Sequence, residues 1–208
     1  MLYNFLRWCP GALGLFLRQK LYPRYVKECG QNVLFGRFVD LDNGKDAISI
    51  GSGVVLNDFV SLQGGSEKNA SSTLVIGDNV FIGTESTVKV TGGNIMIGSG
   101  SNIGSGCIIQ SDSPVLMEQY VLLAAFCKVG LMNHKKSQLL IAQNSEGHEV
   151  IKETIIESGC WLGVRAKVEA GHHIGDGTIV GAHCNVTADL PDHVIAIGDP
   201  VEILRKRV

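Results

Sequence analysis

The chain has 208 residues, enough for one domain with a substantial core, and its 45% hydrophobic against 18% charged content excludes a disordered polypeptide. A formal charge of -2 and a pI of about 6.3 give no basic surface for a nucleic acid. No run of 18 apolar residues occurs, which excludes a transmembrane helix, while 26 glycines against 5 prolines imply many tight turns.

Residues 1–28 stand apart from the rest. Met1–Leu17 is apolar and carries Arg7, yet Pro10 and Gly11 interrupt it, no small-x-small cleavage site follows, and Arg18, Lys20 and Arg24 come next. That order argues against a cleaved signal peptide. Phe16, Leu17, Lys20 and Leu21 predict a short helix after the Pro10–Gly11 break. It would cap the open end of the repeats that follow, whose strand edges invite further pairing. Phe5, Leu6 and Trp8, with the basic residues, also suit a peripheral contact with a membrane interface.

From residue 29 an aliphatic residue recurs every six positions, followed by glycine or a polar residue, two variable residues and a small one. Ile50–Val55 reads I-G-S-G-V-V, Ile103–Ile108 reads I-G-S-G-C-I, and Ile174–Ile179 reads I-G-D-G-T-I. Period six suits a short strand and a turn, not a helix. The lead positions fall into trios: Cys29, Phe35, Leu41; Ile50, Leu56, Leu62; Ile76, Ile82, Val88; Ile97, Ile103, Ile109; Met117, Leu123, Val129; Ile156, Leu162, Val168; Ile174, Val180, Val186. Extra residues occur between trios and never inside one. Three hexads therefore make one turn of a triangular prism, about seven turns stack over residues 29–200, and every insertion leaves from the same edge.

Cys107, Cys127, Cys160 and Cys184 all occupy the fifth, small position of a hexad, where a buried structural thiol is expected. The absence of any C-x-x-C pair favours a reducing, cytoplasmic compartment. The largest insertion, a protruding loop at 130–150, exceeds the period by about twenty residues and carries His134 and His148. Loops of that length inside a compact domain are commonly functional. The tail at 201–208 reads as a terminal strand or helix with a basic end.

The hexads resemble those of the hexapeptide-repeat acyltransferases. The stretch C-W-L-G-V-R-A-K-V-E-A-G-H-H-I-G-D-G-T-I-V-G-A-H-C-N-V-T-A-D-L-P, Cys160–Pro191, with I-G-D-P at Ile197–Pro200, is most similar to galactoside, maltose and polysaccharide O-acetyltransferases. The resemblance implies an all-β fold, a left-handed parallel β-helix. It also implies acetyl-CoA as co-substrate with no metal, a sugar or glycan acceptor, and a homotrimer whose active sites lie between adjacent prisms.

The spacing of Met117–Val129 before the loop aligns His134 with the family's catalytic base, a role that suits imidazole near neutral pH. By the same resemblance the Val164 N–H holds the oxyanion and Trp161 lines the pantetheine groove. Ala182, Thr187 and Arg205 contact CoA, and Asp112 meets a substrate hydroxyl. The chain departs from the family pattern at Ala188 and Glu202, where basic residues are usual, and at Gly104, where sugar enzymes carry a polar asparagine.

The expected activity is O-acetylation of a sugar or surface-polysaccharide precursor. N-acetylation of an amino or nucleotide sugar and an inactive β-helix scaffold are the alternatives. A zinc carbonic anhydrase on such a prism would need three converging histidines, which the spacing of His134 and His148 does not supply.

Overall fold

The computed structural model describes residues 2–65, 72–111, 113–131, 141–143 and 149–207. The hexads wind into three parallel sheets of seven, nine and seven strands, the faces of a triangular prism. The first sheet stacks Cys29, Ile50, Ile76, Ile97, Met117, Ile156 and Ile174 in register. The second stacks Phe35, Leu56, Ile82, Ile103, Leu123, Leu162 and Val180. The third stacks Leu41, Leu62, Val88, Ile109, Val129, Val168 and Val186. Each trio is thus one coil, and the whole is a left-handed parallel β-helix.

Strands of two or three residues cannot hold their own shape. They persist because the lead side chains form one continuous buried column per face, each coil covering the next. The turns follow the same rule. The fourth residue of a hexad adopts a left-handed backbone, as Gly100 (φ +72°) and Gly106 (φ +67°) do. On the next coil the same positions are Tyr120 (φ +57°) and Phe126 (φ +61°), whose rings lie across those glycines. A Cβ on Gly100 or Gly106 would sit 2.6 or 2.5 Å from the ring, so each glycine also makes room for an aromatic neighbour.

The small fifth residue bonds coil to coil. Ser86 Oγ donates to the Gly104 carbonyl at 2.9 Å and Ser101 Oγ to Glu118 at 3.1 Å. Cys107 Sγ to Ala124 and Cys160 Sγ to Gly175, both 3.1 Å, repeat the pattern with a thiol. All four hexad cysteines are buried and free.

Every insertion leaves between a third-sheet strand and the next first-sheet strand. The first holds a helical turn, Gly44–Ala47, and the longest contains an antiparallel pair, Ile141–Gln143 with Glu149–Ile151. No helix among the described residues is long and apolar enough to cross a membrane.

Ahead of the prism lie two helices, α1 (Leu2–Trp8) and α2 (Gly11–Leu21), where the sequence pattern predicts one. Arg18 explains how they seat. Although charged, it is only 3% exposed, donating from Nε to the Phe35 carbonyl (2.9 Å) and from one terminal nitrogen to Cys9 (2.8 Å) and Leu6 (3.2 Å). The guanidinium thereby ties the C-terminal end of α1 to the first coil. Gly14 is required beside it, because a Cβ there would lie 1.8 Å from the Cys9 oxygen. At the far end, Val194–Ile197 adds to the second sheet and Glu202–Lys206 returns antiparallel on it. The sheet therefore ends on an edge carrying Glu202, Arg205 and Lys206.

Candidate active site

The prism has three corners, and two of them treat their backbone amides differently. At the corner between the first and second sheets, five third hexad residues, all but Ser99 and Gln119, have their N–H capped by a side chain of a neighbouring coil. Gln31 N–H donates to Ser52 Oγ (3.1 Å), Ser52 to Asp78 (2.6 Å) and Asp78 to Ser99 Oγ (3.0 Å). Farther along, Ser158 donates to Glu118 (3.2 Å), and Asp176 to Glu157 (2.8 Å) and Asp192 (3.2 Å).

At the corner between the second and third sheets only the first coil is capped, by Asp58, which accepts from the Arg37 amide at 2.7 Å and from its side chain at 2.6 Å. Along the later coils the equivalent residues are Asp58, Thr84, Ser105, Ala125, Val164 and Ala182, and no side chain among the described residues accepts from their amides. Such a row of outward N–H groups suits carbonyl or oxyanion oxygens. The row is closely stacked. His183 N–H donates to the Val164 carbonyl at 2.8 Å, and Gly163 approaches the Ala182 nitrogen so closely that a Cβ there would lie 2.5 Å from it.

The structure brings Trp161, Val164 and Ala182 to this open corner. Trp161 begins a second-sheet strand and is 47% exposed, and Val164 is 43% exposed. Trp161 pairs with Ile179, Ile179 with Ile195 and Ile195 with Arg205, so Arg205 shares that sheet three strand spacings away, about 14 Å. Thr187 is not with them. It follows the Asn185–Val186 strand, at the far edge of the third sheet, the same edge from which the long loop springs. Asp112, His134 and His148 lie outside the described residues. Ala188 and Glu202 are exposed, so no buried partner replaces the missing cations.

Between the open corner and the loop edge runs the outer face of the third sheet. Lys128 and Lys167 face each other there on adjacent strands, both exposed. Direct like-charge pairs weaken a sheet slightly, and here both side chains are solvent-exposed. The sequence reading missed this pair and the Ala125 amide. Outward hexad positions tolerate any residue, and only the register shows that the lysines meet.

Three of the other histidines serve structure. His173 Nε2 lies 2.9 Å from Glu157, His172 Nδ1 3.4 Å from Asp189 and His193 Nε2 3.5 Å from Asp176. Burial raises the Asp189 pKa, but the His173 amide and Lys152 outweigh it and hold the carboxyl below the usual carboxylate value. Among the described residues no cluster of three or more His, Cys, Asp or Glu could hold a metal.

Comparison with known proteins bears on the fold and on sequence similarity. No protein-family model matches the chain. It is 27% identical over 158 residues to a probable acetyltransferase of Mycobacterium tuberculosis, covering 74% of this chain and 52% of that protein. It is 29% identical over 131 residues to the galactoside O-acetyltransferase of Lactococcus lactis, covering 63% and 62%. The chain thus spans between about half and three fifths of the length of these relatives.

Among solved structures, the polysialic acid O-acetyltransferase OatWY matches with a TM-score of 0.61 at 17% identity, covering 87% of this chain and 88% of that one. The Bacillus cereus N-acyltransferase AntD, in complex with dTDP and 3-hydroxybutyryl-CoA, matches with a TM-score of 0.58 at 19% identity, covering 92% and 88%. The chain is similar to acetyltransferases in sequence and shares the hexapeptide β-helix in fold.

Proposed function

We propose that the chain transfers an acetyl group from acetyl-CoA to a hydroxyl of a sugar or surface-polysaccharide precursor. The observation that carries this reading is the open corner: uncapped amides at Ala125, Val164 and Ala182 beside the exposed Trp161. The acetyltransferase relatives and the acyl-CoA in the AntD structure support it.

Acetyl-CoA supplies an activated acyl carbonyl. Trp161 flanks its pantetheine arm, Ala182 contacts the arm, and Arg205 faces its phosphates. His134 takes the proton from the acceptor hydroxyl as that oxygen attacks the carbonyl carbon. The Val164 N–H donates to the carbonyl oxygen as negative charge grows on it. The carbon–sulfur bond then breaks, and the imidazolium returns its proton to the departing thiolate. Asp112 orients the acceptor by accepting from one of its hydroxyls. No step requires a metal.

The loop that carries His134 in sequence leaves the third sheet after Leu131, at the edge opposite the corner that holds the Val164 amide. This arrangement suits a homotrimer in which the loop of one chain meets the open corner of its neighbour. The outer column of the first sheet supports association, since Val75, Met96, Leu116 and Ile155 follow one another in register and Met96 is 49% exposed. The protein works in the cytoplasm, where acetyl-CoA is made and free thiols persist.

N-acylation of an amino sugar is a second reading, favoured by the N-acyltransferase AntD among the structural neighbours; the same base would serve an amine. The test is release of CoA from acetyl-CoA against a panel of sugars, nucleotide sugars and lipid-linked glycans. His134→Ala is expected to abolish turnover with its melting temperature unchanged. Undiminished turnover in that variant overturns the base assignment, and no binding of acetyl-CoA at millimolar concentration favours the inactive scaffold.

A further inference from the structure

We propose that the N-terminal cap docks on an anionic lipid bilayer. The inference is independent of the acyl-transfer reading and rests on two features of α1 and α2.

The first is where their apolar side chains point. Leu6 is buried at 1% exposure, whereas Phe5 is 51%, Trp8 61%, Leu13 65% and Phe16 54% exposed. Gly14, Leu17, Arg18 and Leu21 form the inward side of α2, and Ala12, Leu13, Leu15, Phe16 and Lys20 lie away from it. The N-terminal half of α2 is therefore apolar on both sides, a pattern proper to a helix with a second apolar neighbour. Other exposed aromatics are already accounted for by the fold. Phe59 stacks on Phe38 with centroids 4.9 Å apart, Tyr120 covers Gly100, and Phe126 lies between Gly106 and Arg165.

The second is charge. Residues 1–27 contain five Lys or Arg and no Asp or Glu, while residues 28–208 hold 13 basic and 20 acidic residues. Arg18 is buried and Arg7 pairs with Asp40 at 3.7 Å, so Lys20, Arg24 and Lys27 are the cations this end of a net acidic chain turns outward. Lys20 sits 5.2 Å over the Phe16 ring, and Arg24 and Lys27 are exposed just beyond α2. Aromatic and aliphatic side chains set among cations match the boundary between headgroups and acyl chains of an anionic membrane. A second copy of the cap would match poorly, because it would bring the same positive charge to the contact.

Flotation of the full-length protein with vesicles tests the proposal. Wild type is expected to float with phosphatidylcholine–phosphatidylglycerol vesicles and far less with phosphatidylcholine alone, and to be released as salt rises from about 0.1 M to about 0.5 M. Trp8→Ser with Phe16→Ser should weaken binding by roughly tenfold or more. Lys20→Gln and Arg24→Gln should each weaken it about fivefold. These side chains are exposed, so melting temperature and acetyl transfer to a soluble acceptor should not change. Wild type that fails to float, variants that float equally well, or a Trp8→Ser/Phe16→Ser variant that changes only the oligomeric state would each overturn the proposal.

Discussion

Two corners of one prism, built from the same hexad, do different work. Between the first and second sheets, Ser52, Asp78, Ser99, Glu118 and Glu157 accept from the amides of neighbouring coils, and only the Ser99 and Gln119 amides lack such a cap among the described residues. Between the second and third sheets, Asp58 closes the first coil, but Ala125, Val164 and Ala182 offer nothing that could cap the coils beside Trp161. The difference is one side chain per coil. It teaches that a repeat can leave an amide free by losing its cap, with backbone and core untouched; on the proposed function that freed amide is the site.

The sharpest way to break this contrast is to remove a single open amide. Val164 occupies the first central position of a turn closed by the Ala166 N–H on the Gly163 carbonyl at 3.0 Å, with Arg165 next at φ +59°. Proline is at home there, so Val164→Pro should keep the fold while deleting the donor. Turnover of acetyl-CoA is expected to fall about 10²–10³-fold, with little change in melting temperature.

At the closed corner the effect should reverse. Glu118→Ala leaves the Ser158 amide and hydroxyl without their acceptor and should cost about 1 kcal/mol in denaturant unfolding, with kcat unchanged.

A smaller effect is expected at the one capped coil of the open corner. Burial raises the Asp58 pKa, but the Arg37 side chain and amide outweigh it and hold the carboxyl below its ordinary value. A depressed folded pKa contributes stability that is present above the unfolded carboxylate value, about 3.9. That stability disappears as pH falls through the folded value. Asp58→Asn should therefore lower the melting temperature by a few degrees at most at pH 7, with the difference vanishing in acid.

The smallest effect concerns the buried thiols common to both corners. Burial pushes Cys160 up to about 12. A raised folded pKa contributes stability present below the unfolded thiol value, about 8.5. That stability is lost as pH climbs toward 12. Thermal melts should decline above about pH 9, and Cys160→Ser, which can still donate to the Gly175 carbonyl, should flatten that decline.

Most of the prism was legible because one residue in six had to be buried, and the trios reproduce the register of all three sheets. The cap was less legible. Arg18 looks like a surface residue, and only the converging carbonyls of Leu6, Cys9 and Phe35 make burying it worthwhile. Those carbonyls carry no side-chain signal, so one helix was expected where two form. Phe16 and Leu13 are exposed and Leu6 is buried for the same reason.

At the site, Val164 and Ala182 were read through the resemblance alone, and the Ala125 amide was missed because a free backbone amide carries no side-chain signal. The pairing of Lys128 with Lys167 had no periodic signature and required the coils to be stacked.

The claim that joins these features is that the loop histidine of one chain works with the open corner of another. His134→Ala and Val164→Pro, each inactive alone, should be co-expressed with different tags, and trimers carrying both tags purified and assayed for CoA release. Every trimer that carries both tags then has an intact loop opposite an intact corner in one of its sites, about one in three. The expected result is recovery of about a third of wild-type activity. Mixed trimers as inactive as their parents would contradict a site shared between chains.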